Sequence, residues 1–490
     1  MKMNNDTPNT VQGTQPKMTN FRWIICAMLF FATTVNYLDR QVLSLTWKDF
    51  IAPEFHWTNT DYGNIAAAFA VMYAIANFFS GRIIDFLGTK RGYLWAIGVW
   101  SAGACLHAAC GWATEQVVGV ADAAQLVGAV GDLAAAISMV SVYFFLVARV
   151  ILAAGESGNF PAAVKVTAEY FPKKDRAFAT SIFNAGATVG ALIAPLSIPT
   201  LARYFRNIGV GNGWEMAFVL IGALGFVWMG FWIFVYQPLK ENRHVNAAER
   251  EYILLDARVE GDAQNEEHKM SIGHCLKLRQ TWAILAGKFL TDGVWWFFLF
   301  WTPAYISDVY GHASDTPMAQ MLIFVLYAIT MLSLYGGKLP TILIDRTGKD
   351  PYTCRMRAML IFALFPLLGL MAQPLGRYSC WITIILIGII GAAHQSWSAN
   401  LFSVGSDLFP KSAVATITGI NGMAGGLSSF LINFLSGRLI DHCDMARSVF
   451  LGFEGKEAAY MILFCYCSVA YLAGWLVMKG LVPKYAPVKC

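Results

Sequence analysis

Long apolar stretches alternate with short polar ones along almost the whole chain. Twelve of the apolar stretches are long enough to cross a bilayer as helices, which takes about 20 residues each. They lie at residues 22–47, 62–84, 92–112, 138–169, 177–203, 214–237, 281–308, 317–343, 356–374, 380–405, 412–440 and 457–480. The pattern predicts an all-α polytopic membrane protein with twelve transmembrane helices.

The polar stretches divide these spans into two groups of six. Residues 238–280 are the one long charged segment, and we interpret them as a partly helical linker between a six-helix half at 21–237 and a second one at 281–481. Polar tails at 1–20 and 482–490 complete the predicted organisation. The segment 112–137 is longer and richer in Gly and Ala than a simple turn between spans, and its sequence suggests no function.

Composition and charge agree with this class. Hydrophobic residues make up 57% of the 490, charged residues 14%, and the mean hydropathy is +0.50. Lys and Arg cluster at alternate ends of the spans, which predicts two cytoplasmic termini and explains the net charge of +5 without a nucleic-acid partner. The ten cysteines lack metal-ligand spacing, so we read them as packing residues and expect no metal and no cofactor.

An internal repeat relates the two halves. AAGESGNFPAAVKVTAEYFPK ends span four and GAAHQSWSANLFSVGSDLFPK ends span ten, at an offset of 238 residues. This offset puts Glu156 opposite His394, and a slightly shorter one puts Asn184 opposite Asn421. Repeated halves are common in transporters, where the substrate site lies at the interface between the repeats.

A second motif, SGRIIDFLGTKR, follows span two. Its Gly81, Arg82, Asp85, Gly88 and Arg91 suit a tight joint between two helices, in which glycines allow close approach and the charged side chains can pair. A degraded counterpart, GGKLPTILIDRTGKD, follows span eight. We therefore predict a gating loop after span two.

Span one carries two adjacent charges, Asp39 and Arg40, in the string TVNYLDRQVLS. A charge inside a span costs about 2.5 to 3.5 kcal/mol on insertion scales, so such residues usually face a cavity and a partner. At about 1.5 Å per residue, Asp39 lies level with Arg149 of span four, and Glu156 lies about 10 Å deeper on nearly the same face. These residues predict a series of titratable groups within the first half.

We expect these charges to have different roles. Arg40 offers a planar fork that suits a substrate carboxylate. Asp39 and Glu156 are the predicted proton carriers, and Arg149 would alternately pair with Asp39 and release it. The alternative is a permanent ion pair between Asp39 and Arg149 that fixes helix packing, while Arg40 snorkels outward.

Polar and aromatic side chains could complete a pocket around these charges. Tyr73 and Asn77 are an i, i+4 pair in span two. Span seven supplies Trp295, Trp296 and Trp301, although single aromatic residues more often serve packing. Three lysines nearer the cytoplasmic ends of their spans are expected to snorkel, namely Lys165, Lys288 and Lys338.

Several strings resemble a known family. The twelve spans and the loop after span two resemble the major facilitator superfamily, and NYLDR, GESGNFPAA, FFLFWTPAY and AAHQSWSANLFSVGSDLFP resemble its anion:cation symporter family, in particular the bacterial hexuronate transporters. The resemblance covers residues 20–480 and departs from the family at Pro340 and Thr341 of the second loop motif. It implies a secondary transporter of a small anionic sugar with H+ in the bacterial inner membrane, and we expect a lipid-surrounded monomer.

The resemblance also implies a set of substrate contacts. These are Tyr37, Arg40, Tyr73, Asn184, Gln395 and Asn421. To them the residues themselves add Asn77, one turn beyond Tyr73, and His394, which is opposite Glu156 in the repeat. His394 could be a second proton site, but a neutral hydrogen-bonded core histidine accounts for it equally well.

Other functions would leave other marks. An exchanger of phosphorylated sugars would favour an arginine from each half, and the second half has no central arginine. An intramembrane enzyme would need a motif such as HExxH or G-x-S-x-G, and neither occurs. A sensor that binds a sugar acid without transporting it would need no proton path. We favour H+ over Na+ as the coupling ion because the sequence suggests no oxygen cage for a metal ion.

Overall fold

The computed structural model describes residues 18–254, 272–336 and 338–488, apart from some side chains within helices, among them that of Asp85. Spans one to six form the N-terminal half. Span one is Phe21–Thr46, extended by a π-turn at Trp47–Ile51 and by Ala52–Phe55; span two is Asn59–Leu87, span three Thr89–Ala108, span four Gly131–Glu156 with Asn159–Tyr170, span five Lys173–Asn207, and span six Trp214–Val235.

Spans seven to twelve form the C-terminal half, after short linker helices at Ala247–Ile253 and Ile272–Cys275. Span seven is Arg279–Tyr310; span eight Pro317–Thr330, Ser333–Gly336 and Leu339–Thr347; span nine Pro351–Leu364, a 3-10 turn at Phe365–Leu368, and Gly369–Gly376; span ten Cys380–Leu408; span eleven Lys411–Met445; and span twelve Lys456–Leu481. A two-stranded antiparallel hairpin, Val449–Phe450 with Phe453–Glu454, joins the last two spans.

The predicted count of twelve helices is confirmed, although span three is sharply bent and span eight is divided into short helices. Ten helices of the described chain are long and apolar enough to cross a membrane, and span three is an eleventh if it is counted with the helix that continues it. Span eight is the twelfth, interrupted after Thr330 and again beside Gly336, where glycine weakens a helix. The break explains why its apolar helix is shorter than the others.

The segment 112–137, which the sequence left without a role, extends the spans beside it. Span three bends by 49° into the helix Cys110–Val118, and Ala123–Val127 forms a further short helix. Leu126 in that helix is buried, and its carbonyl O lies 2.9 Å from Nε2 of His56, just beyond span one. The segment therefore folds back over the far end of span one.

The start of span one is fixed by the linker. Glu249 accepts hydrogen bonds from the backbone N of Phe21 at 3.0 Å and of Arg22 at 3.2 Å, and it pairs with the Arg22 guanidinium at 3.1 Å. The first N–H groups of a helix have no acceptor within it, so a carboxylate there satisfies them and favours the helix dipole. The linker is thus attached to the N-terminal half.

The two halves meet at the end of the bundle remote from the chain termini. Asp441 of span eleven accepts hydrogen bonds from the backbone N and Nδ2 of Asn59, at 3.1 and 2.8 Å, and from the backbone N of Thr60 at 2.6 Å. These are the first residues of span two, so this carboxylate again caps a helix. Arg438, three residues before Asp441, donates to Asn64 Oδ1 at 2.9 Å.

Span one joins the same contact region through Lys48 and Asp49. Asp49 accepts hydrogen bonds from Ser307 Oγ and the backbone N of Ser314, both at 2.7 Å, and Lys48 Nζ lies 2.8 Å from Asp308 Oδ1. Every hydrogen bond and ion pair that the structure describes between the two halves lies in this part of the bundle. We call it the closed end.

Small residues let spans two and eleven touch at the closed end. A Cβ added to Gly63 would lie 2.6 Å from Asn433 O, and one on Gly437 would lie 2.2 Å from Asn59 O. Real Cβ atoms do not approach other atoms so closely, so glycine is needed here for direct backbone contact between the halves.

The same two helices stand apart toward the chain termini. A Cβ added to Gly81 of span two, or to Gly419 or Gly422 of span eleven, would meet no atom of the described chain within 4 Å. The bundle is therefore open on the side where the termini lie, and we call this side the open end.

Asp441→Asn should weaken the closed end. The amide keeps the size of the side chain but lacks the negative charge of the carboxylate that accepts from three N–H groups. A hydrogen bond to a charged group contributes about 1.5–3 kcal/mol to stability. We expect the distance between spin labels at Asn207 and Glu454, both exposed on opposite halves at this end, to shift toward longer values in pulsed electron spin resonance. Asp444→Asn is the matched control, because Asp444 is exposed and contacts only Lys456 of its own half among the described ion pairs. An unchanged distance distribution in the Asp441 variant would mean that this contact does not hold the end closed.

Candidate functional site

Arg40 lies in the middle of the bundle, with 3% of its surface exposed. Its Nε and Nη2 both donate to Oε2 of Glu156 in span four, at 3.0 and 2.8 Å. Glu156 is fully buried, and its Oε1 has no hydrogen-bond partner within the described chain. The fork that the sequence assigned to a substrate carboxylate is therefore held by a carboxylate of the protein.

Four aromatic rings surround the Arg40 guanidinium. Its Cζ lies 4.8 Å from the ring centroid of Tyr73, 5.0 Å from Tyr37, 5.4 Å from Trp296 and 5.6 Å from Phe69. At distances below about 6 Å a ring face attracts a cation. Because Trp296 belongs to span seven, the C-terminal half contributes directly to the surroundings of this residue of the N-terminal half.

Asp39 lies beside this pair but is not part of it. Its side chain is 1% exposed, and neither carboxylate oxygen has a hydrogen bond of good geometry within the described chain, although the Trp100 indole is close. Glu156 and Arg149 are the charged side chains that act on it. Asp39 is thus a buried acid next to the ion pair.

The equal depth of Asp39 and Arg149 does not make them an ion pair in this conformation. Arg149 Nη2 donates to the Arg40 carbonyl O at 3.1 Å, and its Cζ lies 4.9 Å from the Phe69 ring. Successive residues of a helix point about 100° apart, so depth alone does not decide which of Asp39 and Arg40 faces a given partner. In span four it is the Glu156 carboxylate that pairs with span one, and its partner there is Arg40.

Glycines of span five fix the position of span one. A Cβ added to Gly186 would lie 2.4 Å from Phe30 O, and one on Gly190 would lie 2.6 Å from Thr34 O. The two helices are therefore in backbone contact directly before the turn that carries Asp39 and Arg40. A larger residue at either glycine would displace that turn.

The histidine of the C-terminal half is enclosed by rings. His394 Nδ1 lies 2.8 Å from Tyr471 Oη, and its ring stacks on Trp295 with centroids 5.4 Å apart. It is 4% exposed. This arrangement is that of a hydrogen-bonded core histidine, one of the two readings that the sequence allowed.

The predicted amide contacts differ in their surroundings. Asn77 and Asn184 are exposed and Gln395 is half-buried, whereas Asn421 is buried and its Oδ1 has no hydrogen-bond partner in the described chain. Asn184 and Asn421, related by the repeat, are therefore not equivalent here. Asn421 has the clearest unmet capacity for a hydrogen bond.

Asn36 is a candidate that sequence reasoning missed. It is fully buried, and both its Oδ1 and its Nδ2 are without a hydrogen-bond partner in the part of the chain described. It precedes Arg40 by four residues, so the two side chains share a face of span one. That spacing was visible in the sequence and could have identified it.

The expectation that Lys288 snorkels is wrong. Its Nζ lies 2.9 Å from Asp292 Oδ2, one turn further along span seven, and the two side chains are only 10% and 12% exposed. The signal in the sequence was the opposite charge at i, i+4, which favours pairing on a helix.

The predicted gating loop joins spans two and three at Gly88, whose φ of +77° favours glycine. Arg82 and Arg91 are exposed, and the Asp85 side chain lies outside the described residues. The close approach expected of Gly81 is not seen in this conformation; the glycine that packs is Gly92, where a Cβ would lie 3.0 Å from Ile84 Cα.

Three comparisons place this geometry among known proteins. The sequence model of the Major Facilitator Superfamily matches residues 29–433. The hexuronate transporter of Escherichia coli (strain K12) is 29% identical over 429 residues, 87% of this chain and 89% of that protein. The probable galactarate/D-glucarate transporter of the same strain is 25% identical over 465 residues, 92% of this chain and 95% of that protein.

The solved structures agree in fold. A bacterial homolog of the human lysosomal transporter Spinster, in an inward-facing and occupied conformation, has a TM-score of 0.67 at 17% identity and covers 98% of this chain and 100% of its own. At that identity the likeness concerns the fold alone.

Substitution of one partner of the Arg40–Glu156 pair should destabilise the protein more than substitution of both. Arg40→Leu or Glu156→Leu leaves a buried charge uncompensated, at a cost of about 3–5 kcal/mol, whereas the double variant leaves none. We expect the melting temperature of the purified protein in detergent to fall in each single variant and to recover in the double variant. Strictly additive losses would show that the two side chains are not energetically coupled, and Arg377→Leu, at an exposed position, is the control.

Proposed function

Since the chain belongs to the Major Facilitator Superfamily, we propose that it transports a monoanionic sugar acid, a hexuronate such as glucuronate or galacturonate, into the cell together with a proton. The name of the hexuronate relative supports this substrate class, and that of the galactarate/D-glucarate relative supports a sugar acid in general. The observation that carries the proposal is the buried fork of Arg40, bound in this conformation to the carboxylate of Glu156.

One cation and two candidate carboxylates explain the coupling. Arg40 can give its Nε and Nη2 donors to Glu156 or to the substrate, because a bidentate fork satisfies one carboxylate at a time. If Glu156 takes up a proton it becomes neutral, and the substrate carboxylate can replace it beside Arg40. The pocket then stays neutral, which matters because an uncompensated buried charge is costly.

Asp39 and Arg149 give the pocket a second acid and a second cation. With both acids ionised, the charges of Asp39, Glu156, Arg40 and Arg149 sum to zero. A proton on Asp39 would leave Arg149, whose Nε and Nη1 have no partner in the described chain, as a further attraction for an anion. Asp39 is therefore the proposed second proton carrier.

The remaining groups suit a sugar. The rings of Tyr37, Tyr73 and Trp296 offer flat apolar faces, and the two tyrosines also offer hydroxyl groups. Asn36 and Asn421 carry amide atoms without partners, which substrate hydroxyls would satisfy. A pocket with these groups binds the carboxylate at Arg40 and the rest of the molecule by stacking and hydrogen bonds.

The closed and open ends suit alternating access. We take the open end, where the termini lie, as cytoplasmic, so that the structure represents the inward-open state of a carrier in the bacterial inner membrane. Rocking of the halves about the central site would break the Asp441 and Asp49 contacts and bring Gly81 against span eleven.

Uptake into proteoliposomes tests the division of work between Arg40 and Glu156. Under an inward proton gradient the native protein should accumulate labelled glucuronate, and Arg40→Ala should reduce uptake about 100-fold or more because the substrate loses a buried charged partner. Glu156→Gln should keep exchange of labelled for unlabelled substrate but lose accumulation. Arg377→Ala, exposed and bonded to Gly452 O, should behave as the native protein.

Indifference to the proton gradient, or full accumulation by both site variants, would contradict the proposed symport. Loss of exchange in Glu156→Gln together with loss of accumulation would instead make Glu156 a structural partner of Arg40.

Gly81→Leu, a substitution at the open end, should slow transport without weakening substrate binding. The leucine has free space in this conformation, but it would obstruct closure of spans two and eleven in the opposite state. We expect the initial rate of uptake to fall while substrate quenching of tryptophan fluorescence in detergent is retained. Gly230→Leu is the matched control, because Gly230 also has free space but lies in span six. Equal rates in both variants would contradict the proposed approach at Gly81.

A further inference from the structure

The C-terminal half contains its own buried ion pair, Lys288 with Asp292 in span seven. The two residues have 8% and 9% of their surface exposed. The pair is enclosed by spans ten and eleven: Lys288 Nζ lies 3.5 Å from Ser398 Oγ and 4.8 Å from the Phe402 ring centroid. None of the roles assigned to the hexuronate pocket uses it.

Span eleven is shaped around this pair. A Cβ added to Gly425 would lie 2.4 Å from Asp292 Oδ2 and 3.3 Å from Lys288 Cε. Gly425 is one turn beyond Asn421, the amide whose Oδ1 has no partner in the described chain. The ion pair therefore occupies the space that a side chain at position 425 would take, one turn from an amide of the proposed sugar pocket.

Both members of the pair have unused hydrogen-bonding capacity. An ammonium group has three donors, and for Lys288 the structure describes the ion pair and one long contact to Ser398. Asp292 Oδ1 is buried without a hydrogen-bond partner in the described chain. A buried charge pair that serves only packing would be expected to have these atoms satisfied.

The pair lies on the face of span seven that leads to Arg40. Lys288, Asp292 and Trp296 follow one another at i, i+4 and i+8, and the Trp296 ring lies 5.4 Å from Arg40 Cζ. At about 1.5 Å per residue, Asp292 is about 6 Å from Trp296 along the helix axis. The Lys288 ammonium, 2.9 Å from Asp292 Oδ2, therefore lies about one helical turn along span seven from the ring that covers Arg40.

We propose that Lys288 is the recognition site for a second carboxylate, so that the carrier accepts sugar diacids as well as monoacids. The inference rests on the proposed function, because it takes Arg40 as the site of the first carboxylate. The second carboxylate replaces Asp292 beside Lys288, as the first replaces Glu156 beside Arg40. The pocket stays neutral if Asp292 takes up a proton at that step, and the other titratable groups beside the pair are His394 and Tyr471.

Galacturonate and galactarate are the matched substrates for the test, because they differ by one carboxylate. In proteoliposomes with an inward proton gradient, Lys288→Gln should lower galactarate uptake about tenfold or more and leave galacturonate uptake within about twofold of native, since only the diacid loses a charged partner. Lys288→Arg should retain galactarate uptake. Lys338→Gln, at an exposed position of span eight, is the control and should change neither.

A second variant separates recognition from folding. Lys288→Gln combined with Asp292→Asn leaves no unpaired charge, and it should show the same selective loss of galactarate. Equal loss of both acids in the single and double variants, or no loss of either, would overturn the role of Lys288. Uptake of galacturonate but not galactarate by the native protein would overturn it too, whereas uptake of neither acid would overturn the proposed function itself.

Discussion

The cost of an uncompensated charge in the bilayer governs the centre of this molecule. Arg40 and Glu156 are both buried in the bundle, and each has the other as its charged partner. If the carboxylate of a transported anion replaced that of Glu156 beside Arg40, and Glu156 took up a proton, the net charge of the site would not change. In the proposed symport, binding and protonation would therefore be linked through the charge of this site.

In the proposed mechanism, helix contacts at the two ends would translate this chemistry into a change of access. At the closed end, glycines allow spans two and eleven to touch, and Asp441 caps the first turn of span two. At the open end, the glycines of the same two helices have no neighbour within reach in the described chain. In this conformation the small residues of the two helices are thus in contact at the closed end and apart at the open end.

The sequence predicted the number of spans and marked Asp39 and Arg40 as charges inside an apolar segment. It did not predict that Arg40 rather than Arg149 pairs with a carboxylate, because the direction of a side chain depends on helix rotation and on packing against Gly186 and Gly190. Nor did it predict the bend of span three or the burial of Lys288. Depth along a span can be counted from the sequence, whereas direction around the helix is decided by neighbouring helices.

The Trp296 ring has a consequence beyond the binding of sugars. It comes from the C-terminal half yet lies over the guanidinium of the N-terminal half, so the proposed rocking of the halves would displace it. An anion bound at Arg40 would then cross only if it left the ring room to move. The same side chain would thus separate transported anions from bulkier ones that hold the ring in place.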